Sequence, residues 1–287
     1  MKKRKYQLLN NKHQLLIGNG QLHRSQLKKA VQRAIAKVSK RDFYIFSPPG
    51  LGKTYTTEQE FAKQGITPLT IEGNTSLWGF TVDLAMIMML RDPKKHIYLF
   101  IDDCDNLLLH KDSVNTLKIA LAKGLLKYNK QLMVQYAMLD DVQKAAIDMF
   151  RVAGRNAVEI PLSNMTIIWC SNYRLADQQD LAEIKDTTST KYMKAIDENA
   201  LRRRLNAKDY TMPKDQMWGW IADCILNETP PSMKKSTLFE KERILLFMYE
   251  NIDRVKELNI SFAEKLYEEM LIDPVSYDTA WEYDYLV

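Results

Sequence analysis

Cysteine, histidine and glycine are scarce in this sequence, which has 3 Cys, 4 His and 10 Gly among 287 residues. The cysteines are odd in number and far apart (Cys104, Cys170 and Cys224), which excludes a disulfide framework and gives no metal-ligand spacing. No H-x-x-x-H pair is present, so a structural zinc site is not predicted. The longest mostly apolar stretch, residues 77–90, carries Asp83 and is too short to cross a bilayer. The sequence therefore excludes a membrane span.

A secretory leader is not predicted, because the charged residues 1–5 are followed by no apolar segment and no small-residue cleavage site. We therefore expect an intracellular, cytoplasmic protein. Apolar residues make up 46% of the chain and charged residues 27%, which allows a buried core and excludes a disordered chain. The length predicts about two domains.

Acidic residues are absent from residues 1–41, which contain 12 Lys or Arg and no Asp or Glu. The rest of the chain has 29 basic and 36 acidic residues, so a basic arm, residues 1–41, precedes an acidic body. Because lysines and arginines that neutralise phosphates release counterions, such an arm favours contact with a polyanion. The candidate contacts are Lys28, Lys29, Arg33 and Lys37. A solvated helix face is the alternative interpretation, and the sequence leaves both open.

Apolar residues recur with helical spacing inside the arm and form short runs after it. One face of an amphipathic helix contains Leu27, Ala30, Val31, Ala34, Ile35 and Val38. Short apolar runs predict strands at residues 43–46, 69–71, 97–101, 166–170 and 209–212. Between them lie helical patterns, one with Val114, Leu117, Leu121 and Leu125 and another over residues 139–150. This alternation predicts an α/β fold with a doubly wound, mostly parallel sheet covered on both faces.

The chain becomes all-helical after Pro213. Two helices are predicted to begin at capping boxes, Thr237 with Glu240 and Ser261 with Glu264. The predicted domains are the basic arm (1–41), an α/β domain (42–213) and a smaller helical lid (214–287). The polar segment 178–194 is interpreted as a long surface insertion. The acidic, aromatic tail from residue 272 is interpreted as lacking a core element of its own, so it could dock on a neighbour.

A glycine-rich loop follows the first predicted strand, with the sequence Ser-Pro-Pro-Gly-Leu-Gly-Lys-Thr over residues 47–54. Between a strand and a helix N-terminus, glycines let backbone N–H groups point at phosphate oxygens, and the helix dipole favours an anion. Lys53 would place a charge at the β- and γ-phosphates, and the Thr54 hydroxyl would bind Mg²⁺. The predicted nucleotide-binding residues are Pro49, Gly50, Leu51, Gly52, Lys53, Thr54 and Tyr55. Ser47 replaces the usual Gly, and we expect it to fit if its φ is negative.

Two acids, Asp102 and Asp103, end the apolar run 97–101, where a buried strand has no structural need for carboxylates. In a phosphate-loop ATPase the first would bind Mg²⁺ through water, and the second would orient and polarise the attacking water. Asp105, two residues further on, is interpreted as a helix cap or a solvent-facing acid.

Two more polar clusters follow. The strand at 166–170 ends in Ser171-Asn172, a pair placed to hydrogen-bond the γ-phosphate or water, although an Asn after a strand is alternatively a turn residue. Arg202, Arg203 and Arg204 precede the last predicted strand, and they are more cations than a helix end needs. Such a cluster is either surface charge or an arginine finger, which stabilises transition-state charge on the ATP of a neighbouring subunit.

In this order the motifs resemble the AAA+ ATPase family over nearly the whole chain from Phe43. The matching segments are residues 48–54 for its Walker A motif, 101–103 for its Walker B motif and Asn172 for its sensor 1. The run 201–205 resembles the arginine-finger box of branch-migration motors and clamp loaders, which implies a finger at Arg204 with Arg202 as second choice. The resemblance implies a P-loop core with a helical lid, ATP and Mg²⁺ as cofactors, and a ring or helical homo-oligomer of hexamer type.

Two further positions follow from the resemblance. Residues 72–80 lie where the family has its central pore loop, so Trp78 and Phe80 are pore-loop candidates; packing under the following helix is the alternative. Residues 260–263 resemble the helix start that often bears the sensor 2 arginine, and no Arg is present there. Sensor 2 is then absent or supplied from elsewhere, for instance by Arg243.

Three functions follow from the resemblance. The first is an ATPase in a DNA transaction, of the clamp-loader, helicase-loader or initiator kind, favoured by the basic arm and the arginine box. Its DNA contacts would be mainly to phosphates, since no dedicated DNA-binding module is visible. The second is a protein-remodelling or translocating motor that grips a protein partner with Trp78 and Phe80. The third is a nucleotide-dependent scaffold, in which Asp103 in place of the usual Glu leaves hydrolysis negligible. The compact layout also resembles phage-encoded AAA+ proteins.

Overall fold

The computed structural model describes residues 7–36, 42–92, 94–129, 132–255 and 258–285. The chain forms two compact units. The first unit comprises Met1–Ala30, Pro48–Thr56 and Tyr210–Val287, and the second comprises Val31–Ser47 and Thr57–Asp209. This division differs from the predicted one, because the residues up to Ala30 and the glycine-rich loop both group with the C-terminal helices. Of the predicted basic arm, the described residues 7–30 group with the C-terminal helices.

The described residues of the second unit include seven strands, which form two sheets. In chain order they are β1 (Phe43–Phe46), β2 (Leu69–Glu72), β3 (Ile97–Asp102), β4 (Leu125–Tyr128), β5 (Val158–Pro161), β6 (Met165–Ser171) and β7 (Lys208–Asp209). Five of them form a parallel sheet in the order β2-β3-β6-β1-β7. Four of the predicted strands are confirmed to within two residues, whereas the fifth contains only Lys208–Asp209. The predicted fold class, an α/β parallel sheet with a smaller helical part, is confirmed.

The helices, in chain order, are α1 (Asn11–Ile35), α2 (Lys53–Lys63), α3 (Leu77–Leu90), α4 (Asn106–Leu109), α5 (Lys111–Lys123), α6 (Leu132–Ala137), α7 (Asp141–Met149), α8 (Gln178–Glu183), α9 (Thr190–Arg204), α10 (Lys214–Asp223), α11 (Leu238–Glu250), α12 (Ile260–Ile272) and α13 (Tyr277–Tyr285). A π-helical turn, Cys224–Glu228, continues α10. The segment 178–194, interpreted as a long surface insertion, is exposed or half-buried throughout, and it contains α8 and the start of α9. Its polar residues reflect two helix starts, since the side chains of Asp177 and Ser189 cap α8 and α9.

The antiparallel pair β4–β5 was not predicted from the sequence pattern. The pattern places Leu125 on a helical stripe, and this prediction is wrong because α5 ends before it. Gly124 adopts a left-handed φ of 65° and donates its N–H to the carbonyl of Ala120, which closes the helix. Leu125 therefore begins a strand.

In the first unit α1 and α10 approach each other at two glycines. A Cβ on Gly219 would lie 2.2 Å from the carbonyl oxygen of Leu16, and one on Gly20 would lie 2.3 Å from the carbonyl carbon of Gly219. Any larger residue at either position would push the two backbones apart. The N-terminal helix is thus docked on the C-terminal helices by direct backbone contact.

The starts of the C-terminal helices follow the predictions in one case and not in the other. The Thr237 capping box is confirmed: its hydroxyl accepts the N–H of Glu240 over 3.2 Å, and the Glu240 carboxylate accepts the N–H of Thr237 over 2.6 Å. The second box is wrong, because Asn259 caps α12 by accepting the N–H of Phe262 over 2.7 Å. Ser261 lies inside the helix.

The C-terminal tail forms α13 and contributes to the core of the first unit. Trp281 is only 1% exposed, its indole N–H donates to the carbonyl of Leu266 over 3.2 Å, and its ring lies 4.9 Å from that of Phe247. The expectation that the tail has no core element is therefore wrong. Trp281 thus helps to anchor this short helix on α11 and α12. Within the described residues, no helix is long and apolar enough to span a membrane.

Candidate functional site

The phosphate loop, residues 47–54, connects β1 to α2. Gly50 and Gly52 have φ values of 75° and 69°, in the left-handed region that glycine tolerates. α2 begins at Lys53, and the N–H of Thr56 donates to the carbonyl of Gly52 over 2.9 Å. The predicted order of strand, glycine-rich loop and helix is confirmed. The backbone N–H groups of a helix start therefore follow the loop directly, as anion binding requires.

The residues of this loop differ in exposure. Of the predicted nucleotide-binding residues, Leu51 and Lys53 are buried, Gly50, Gly52 and Thr54 are half-buried, and Pro49 and Tyr55 are exposed. Ser47 is buried and is not among the residues with positive φ, as its replacement of glycine requires. The assignment of these residues to nucleotide binding remains a prediction.

Within the first unit the loop lies against the start of α12. The carbonyl of Gly50 accepts the N–H of Ile260 over 3.2 Å. A Cβ on Gly50 would lie 2.0 Å from the Cβ of Asn259, the residue that caps α12. Glycine is thus required here both by its φ and by the close approach of the neighbouring helix.

A cavity of about 250 Å³ opens beside the loop in the first unit. Its mostly apolar wall includes Gly50, Gly52, Tyr55, Pro230, Pro231 and Ile260. Cys224 also lines it, and burial raises the pKa of this thiol to about 12, so the side chain is neutral. The predicted nucleotide-binding loop therefore borders a small, mostly apolar cavity.

An ionic cluster adjoins this cavity and uses cations of the predicted basic arm. Arg24 is 3% exposed, donates to Asp223 over 2.5 Å and also pairs with Glu228, which pairs in turn with Lys28. Burial alone would raise the pKa of Glu228, but Lys28 and Arg24 hold it below its ordinary value. These cations therefore have partners within the first unit.

The polyanion-binding prediction is accordingly corrected for Lys28, whose ammonium group is engaged by Glu228. Lys29 and Arg33 are exposed on α1 and stay candidates. Lys37 lies outside the described residues. The physical reason for the correction is that α1 packs on α10, which places Glu228 within ion-pair distance of Lys28.

In the second unit, two of the predicted catalytic residues, Asp103 and Asn172, directly follow two neighbouring parallel strands. Asp102 ends β3 and is half-buried, and Asp103 follows it, exposed and with a φ of 52°. Asn172 follows β6, and its side-chain N–H donates to Asp103 Oδ1 over 3.0 Å. β3 and β6 pair along their whole length, with Asp102 opposite Cys170. The fold thus brings the predicted Asp103 and Asn172 into direct contact.

The backbone around Asp103 is strained and held in place. A left-handed φ at a non-glycine residue costs about 1–2 kcal/mol, although Asp tolerates it better than most residues. The N–H of Asp103 donates to the carbonyl of Cys170 over 3.3 Å. The Cys104 thiol donates to the carbonyl of Asp102 over 3.4 Å, and burial raises its pKa to about 12, so it stays a neutral donor. Such strain is common where a side chain is aimed at a ligand.

Asp105 has a role that the sequence reasoning missed. It is neither a capping side chain nor a solvent-facing acid: it makes no cap hydrogen bond to α4. Its carboxylate accepts the hydroxyl of Ser171 over 2.5 Å and the backbone N–H of Asn172 over 3.2 Å. The available signal was an acid shortly after one strand and a Ser-Asn pair after another, two strand ends that a parallel sheet brings together.

The three arginines at the end of α9 have different partners. Arg202 donates to Asp209 over 2.7 Å and to the carbonyl of Leu175 over 3.2 Å, so it is committed within its own unit. This contradicts its use as an arginine finger. Arg203 is exposed and bonds Gln178 over 2.5 Å, while Arg204 is half-buried and donates to its own helix at Ala200 over 3.0 Å. Arg204 stays the finger candidate.

The pore-loop prediction is contradicted by the positions of Trp78 and Phe80. Ser76 caps α3, so both aromatic residues lie in the first turn of that helix and not in a loop. They are 9% and 3% exposed, and the Trp78 ring lies 5.0 Å from that of Tyr128. Both belong to the apolar core of the second unit.

Arg243, the suggested substitute for a sensor 2 arginine, lies on α11 with its guanidinium 5.7 Å from the centre of the Tyr277 ring. It does not line the cavity beside the phosphate loop, whereas Arg24 does. Across the ranges that the structure describes, no group of three or more His, Cys, Asp or Glu side chains is arranged to hold a metal ion.

Comparison with known proteins finds similarity among solved structures. No protein-family model and no curated protein sequence matches the chain. Among solved structures, the chain is similar to the RuvB Holliday junction branch migration motor of Thermotoga maritima, with a TM-score of 0.41 and 14% sequence identity. The similarity covers 93% of this chain and 65% of that motor chain, so this chain spans less than two thirds of the length of the structure it matches.

Proposed function

We propose that the protein is an ATPase of the AAA+ type, which binds Mg-ATP through the phosphate loop and hydrolyses it with Asp103. The observation that carries the proposal is the contact of Asp103 with Asn172 at the carboxyl ends of two parallel strands, over 3.0 Å. A strained acid held by an amide has no evident role in folding. It is the arrangement expected of a group that orients a water molecule and accepts its proton.

Nucleotide binding rests on the phosphate loop and the cavity beside it. The N–H groups of the loop and of the first turn of α2 would surround the phosphates, and Lys53 would neutralise their charge. The apolar wall with Pro230, Pro231 and Ile260 would take the base and sugar. The hydrogen bond between Gly50 and Ile260 would couple the loop to α12.

The residues present fit a magnesium ion that is bound mainly by phosphate and water. Mg²⁺ prefers oxygen ligands and takes only one or two carboxylates from the protein, so a three-ligand cluster is not needed. The predicted ligands are the hydroxyl of Thr54 and the carboxylate of Asp102, and each of these two residues is half-buried. When bound, the ion would neutralise charge on the transferred phosphoryl group.

Hydrolysis would need a second subunit. Asp103 would polarise the attacking water, and Asn172 would hold Asp103 and hydrogen-bond the water or the γ-phosphate. Arg204 would act on the ATP of a neighbouring copy, because an arginine finger completes a site from outside. A ring or helical homo-oligomer of hexamer type follows as part of the proposal.

For the biological role we propose a DNA transaction of the loader or initiator kind. Its support is the exposed pair Lys29 and Arg33 on α1, which could contact phosphates without reading base sequence. The protein-remodelling alternative loses its evidence, since Trp78 and Phe80 are buried. The scaffold alternative keeps one observation: Asp103 is a methylene shorter than the usual Glu, and its carboxylate is already bonded by Asn172.

The deciding experiment is ATP turnover by the purified protein, alone and with single-stranded DNA, duplex DNA or RNA, at low and physiological salt. Asp103→Asn serves as the blank, because the amide keeps the shape but cannot accept a proton. Turnover that is lost in Asp103→Asn and stimulated by one nucleic acid would support the proposal. Turnover indifferent to all three would argue against the DNA role, and ATP binding without turnover would favour the scaffold.

A further inference from the structure

Asp105 makes hydrogen bonds to Asn172 and to the residue before it, Ser171. One carboxylate oxygen accepts the N–H of Asn172 over 3.2 Å, and the other accepts the hydroxyl of Ser171 over 2.5 Å. The oxygen of that hydroxyl accepts the N–H of Tyr173 over 2.9 Å. We name this group of contacts, from Asp105 to Ser171, Asn172 and Tyr173, the Asp105 bracket. It fixes the backbone before, at and after Asn172.

The position of the Asn172 side chain follows from its backbone. An asparagine has two rotatable side-chain bonds, so fixing its backbone restricts its amide to a small volume. That amide donates to Asp103 Oδ1 over 3.0 Å. Asp103 and Asp105 lie on the same short segment after β3. Both the Asp105 bracket and the Asn172–Asp103 hydrogen bond therefore connect this segment to the end of β6.

We propose that Asp105 is a positioning residue for hydrolysis: it holds Asn172 so that the amide meets Asp103. This inference rests on the proposed function and adds to it a residue that touches neither nucleotide nor water. Losing the carboxylate would leave the N–H of Asn172 without its acceptor and allow the Ser171 hydroxyl to turn toward the carbonyl of Tyr173, which lies 3.3 Å away. The amide would then sample other positions.

A purely structural role for Asp105 is the competing explanation. The sheet does not depend on it, because β3 and β6 pair in register from Ile97 opposite Met165 to Asp102 opposite Cys170. If Asp105 only stabilised the fold, its loss would lower the unfolding temperature and affect substrate binding and turnover together. A positioning role instead lowers kcat and leaves the affinity for ATP unchanged.

The test compares Asp105→Ala, Asp105→Asn and Ser171→Ala for kcat, KM, affinity for a non-hydrolysable ATP analogue and unfolding temperature. We expect Asp105→Ala to lower kcat about 10- to 100-fold, since a displacement of about 1 Å at a catalytic group costs up to ~10²-fold. Analogue affinity should stay within about twofold, because the phosphate loop is untouched. Asp105→Asn should lower kcat less than Asp105→Ala does, since its amide can accept from Asn172 and donate to Ser171. Ser171→Ala keeps the hydrogen bond between Asp105 and the N–H of Asn172, so it should lower kcat least of the three variants.

A double-mutant cycle shows whether Asp105 acts through Asn172. If it does, Asp105→Ala should lower kcat no further in an Asn172→Ala background. Losses that multiply in the double variant would overturn the proposal, as would full kcat in Asp105→Ala or a loss explained by weaker analogue binding. Measuring all variants well below their unfolding temperatures removes misfolding as an explanation.

Amide hydrogen exchange separates failure of this inference from failure of the proposed function. If the wild-type protein shows no ATP turnover, the proposed function fails, but the bracket is still testable. Asp105→Ala should speed exchange at Asn172, Ser171→Ala should speed it at Tyr173, and the amides of β6 should keep their protection. Exchange at these two amides that matches the wild-type protein would overturn the bracket.

Discussion

Gly50 and Asn259 approach each other so closely that only glycine fits: a Cβ at position 50 would lie 2.0 Å from the Cβ of Asn259. Asn259 is itself fixed, because its side chain caps α12 by accepting the N–H of Phe262 over 2.7 Å. The next residue, Ile260, donates its N–H to the carbonyl of Gly50 over 3.2 Å. The position of the phosphate loop is therefore fixed relative to the start of α12.

Gly50→Ala is expected to weaken nucleotide binding at least about 10-fold and to lower the free energy of unfolding by about 1–3 kcal/mol, through crowding and a left-handed φ. Gly52→Ala should cost less, about 1 kcal/mol, because its Cβ would meet only the tip of Ile260 at 3.6 Å. Gly18→Ala is the matched control, since nothing lies within 4 Å of its Cβ. Urea unfolding and titration with a fluorescent ATP analogue measure both effects. Equal behaviour of the Gly50 and Gly18 variants would contradict the prediction.

The crossing of α1 and α10 gives a second prediction. Gly219→Ala should destabilise the protein by about 1–3 kcal/mol or more, because its Cβ would lie 2.2 Å from the carbonyl oxygen of Leu16 and backbone cannot move aside cheaply. Gly18 lies on α1, the other helix of the crossing, and a Cβ there would meet nothing within 4 Å. Gly18→Ala should therefore be neutral or slightly stabilising, as alanine favours a helix by about 1 kcal/mol. The measurement is urea unfolding followed by tryptophan fluorescence. The idea fails if the two variants unfold at the same urea concentration.

Local signals in the sequence predicted the elements of the second unit well. β1 and β3 are short apolar runs. The glycine-rich loop 47–54 follows β1, and Asp102 and Asp103 end the apolar run of β3, so the same residues mark the strand ends and the candidate site. The pattern failed at Leu125, where one glycine changed a helical stripe into a strand. A periodic pattern cannot show where a helix stops unless the cap is recognised first.

Some contacts between residues far apart in sequence were beyond prediction. Nothing near Lys28 in the sequence shows that Glu228 is its partner. Asp105 and Asn172 differ, because each follows a predicted strand and a parallel sheet brings those strand ends together. The prediction of Trp78 as a pore-loop residue failed for a different reason. A family resemblance assigned its segment to a loop, whereas Ser76 is a good helix cap that starts α3 before Trp78 and places the indole in the core. At this segment the helix cap at Ser76 was a better guide to the structure than the family resemblance.

The arginine cluster gives a prediction that separates stability from activity. Arg202→Ala should lower the free energy of unfolding by about 1–3 kcal/mol, because it removes a charged hydrogen bond to Asp209 over 2.7 Å and leaves that carboxylate without this partner. Arg204→Ala should unfold like the wild-type protein but lower ATP turnover about 10³-fold, the effect of losing an arginine finger. Affinity for ATP should not change.

The control for that comparison is Arg203→Ala, which removes an exposed arginine from the same helix end. It should change neither stability nor turnover by much, since exposed contacts contribute little. Wild-type turnover in Arg204→Ala, together with a large loss in Arg203→Ala, would move the finger to Arg203.

Asp42 makes the stability of the protein depend on pH. Burial raises the pKa of its carboxyl group to about 6, against the effect of the hydrogen bond from the N–H of Ile167. That bond measures 2.8 Å. The unfolded chain has the ordinary pKa of about 3.9, so the folded state binds the proton more tightly. The stabilising contribution of Asp42 is therefore fully present below about pH 4 and is lost as the pH rises through about 6.

Asp42→Asn removes this titration and keeps an oxygen that accepts the N–H of Ile167. We expect the free energy of unfolding of Asp42→Asn, relative to the wild-type protein, to increase between pH 4.5 and pH 7, about the interval between the two pKa values. Urea unfolding at both pH values measures the difference, in which all groups common to the two proteins cancel. Asp42→Ala is the control, because it lacks the acceptor and should be destabilised at both pH values. A difference between Asp42→Asn and wild-type protein that does not change with pH would show that Asp42 is ionised without penalty in the folded state.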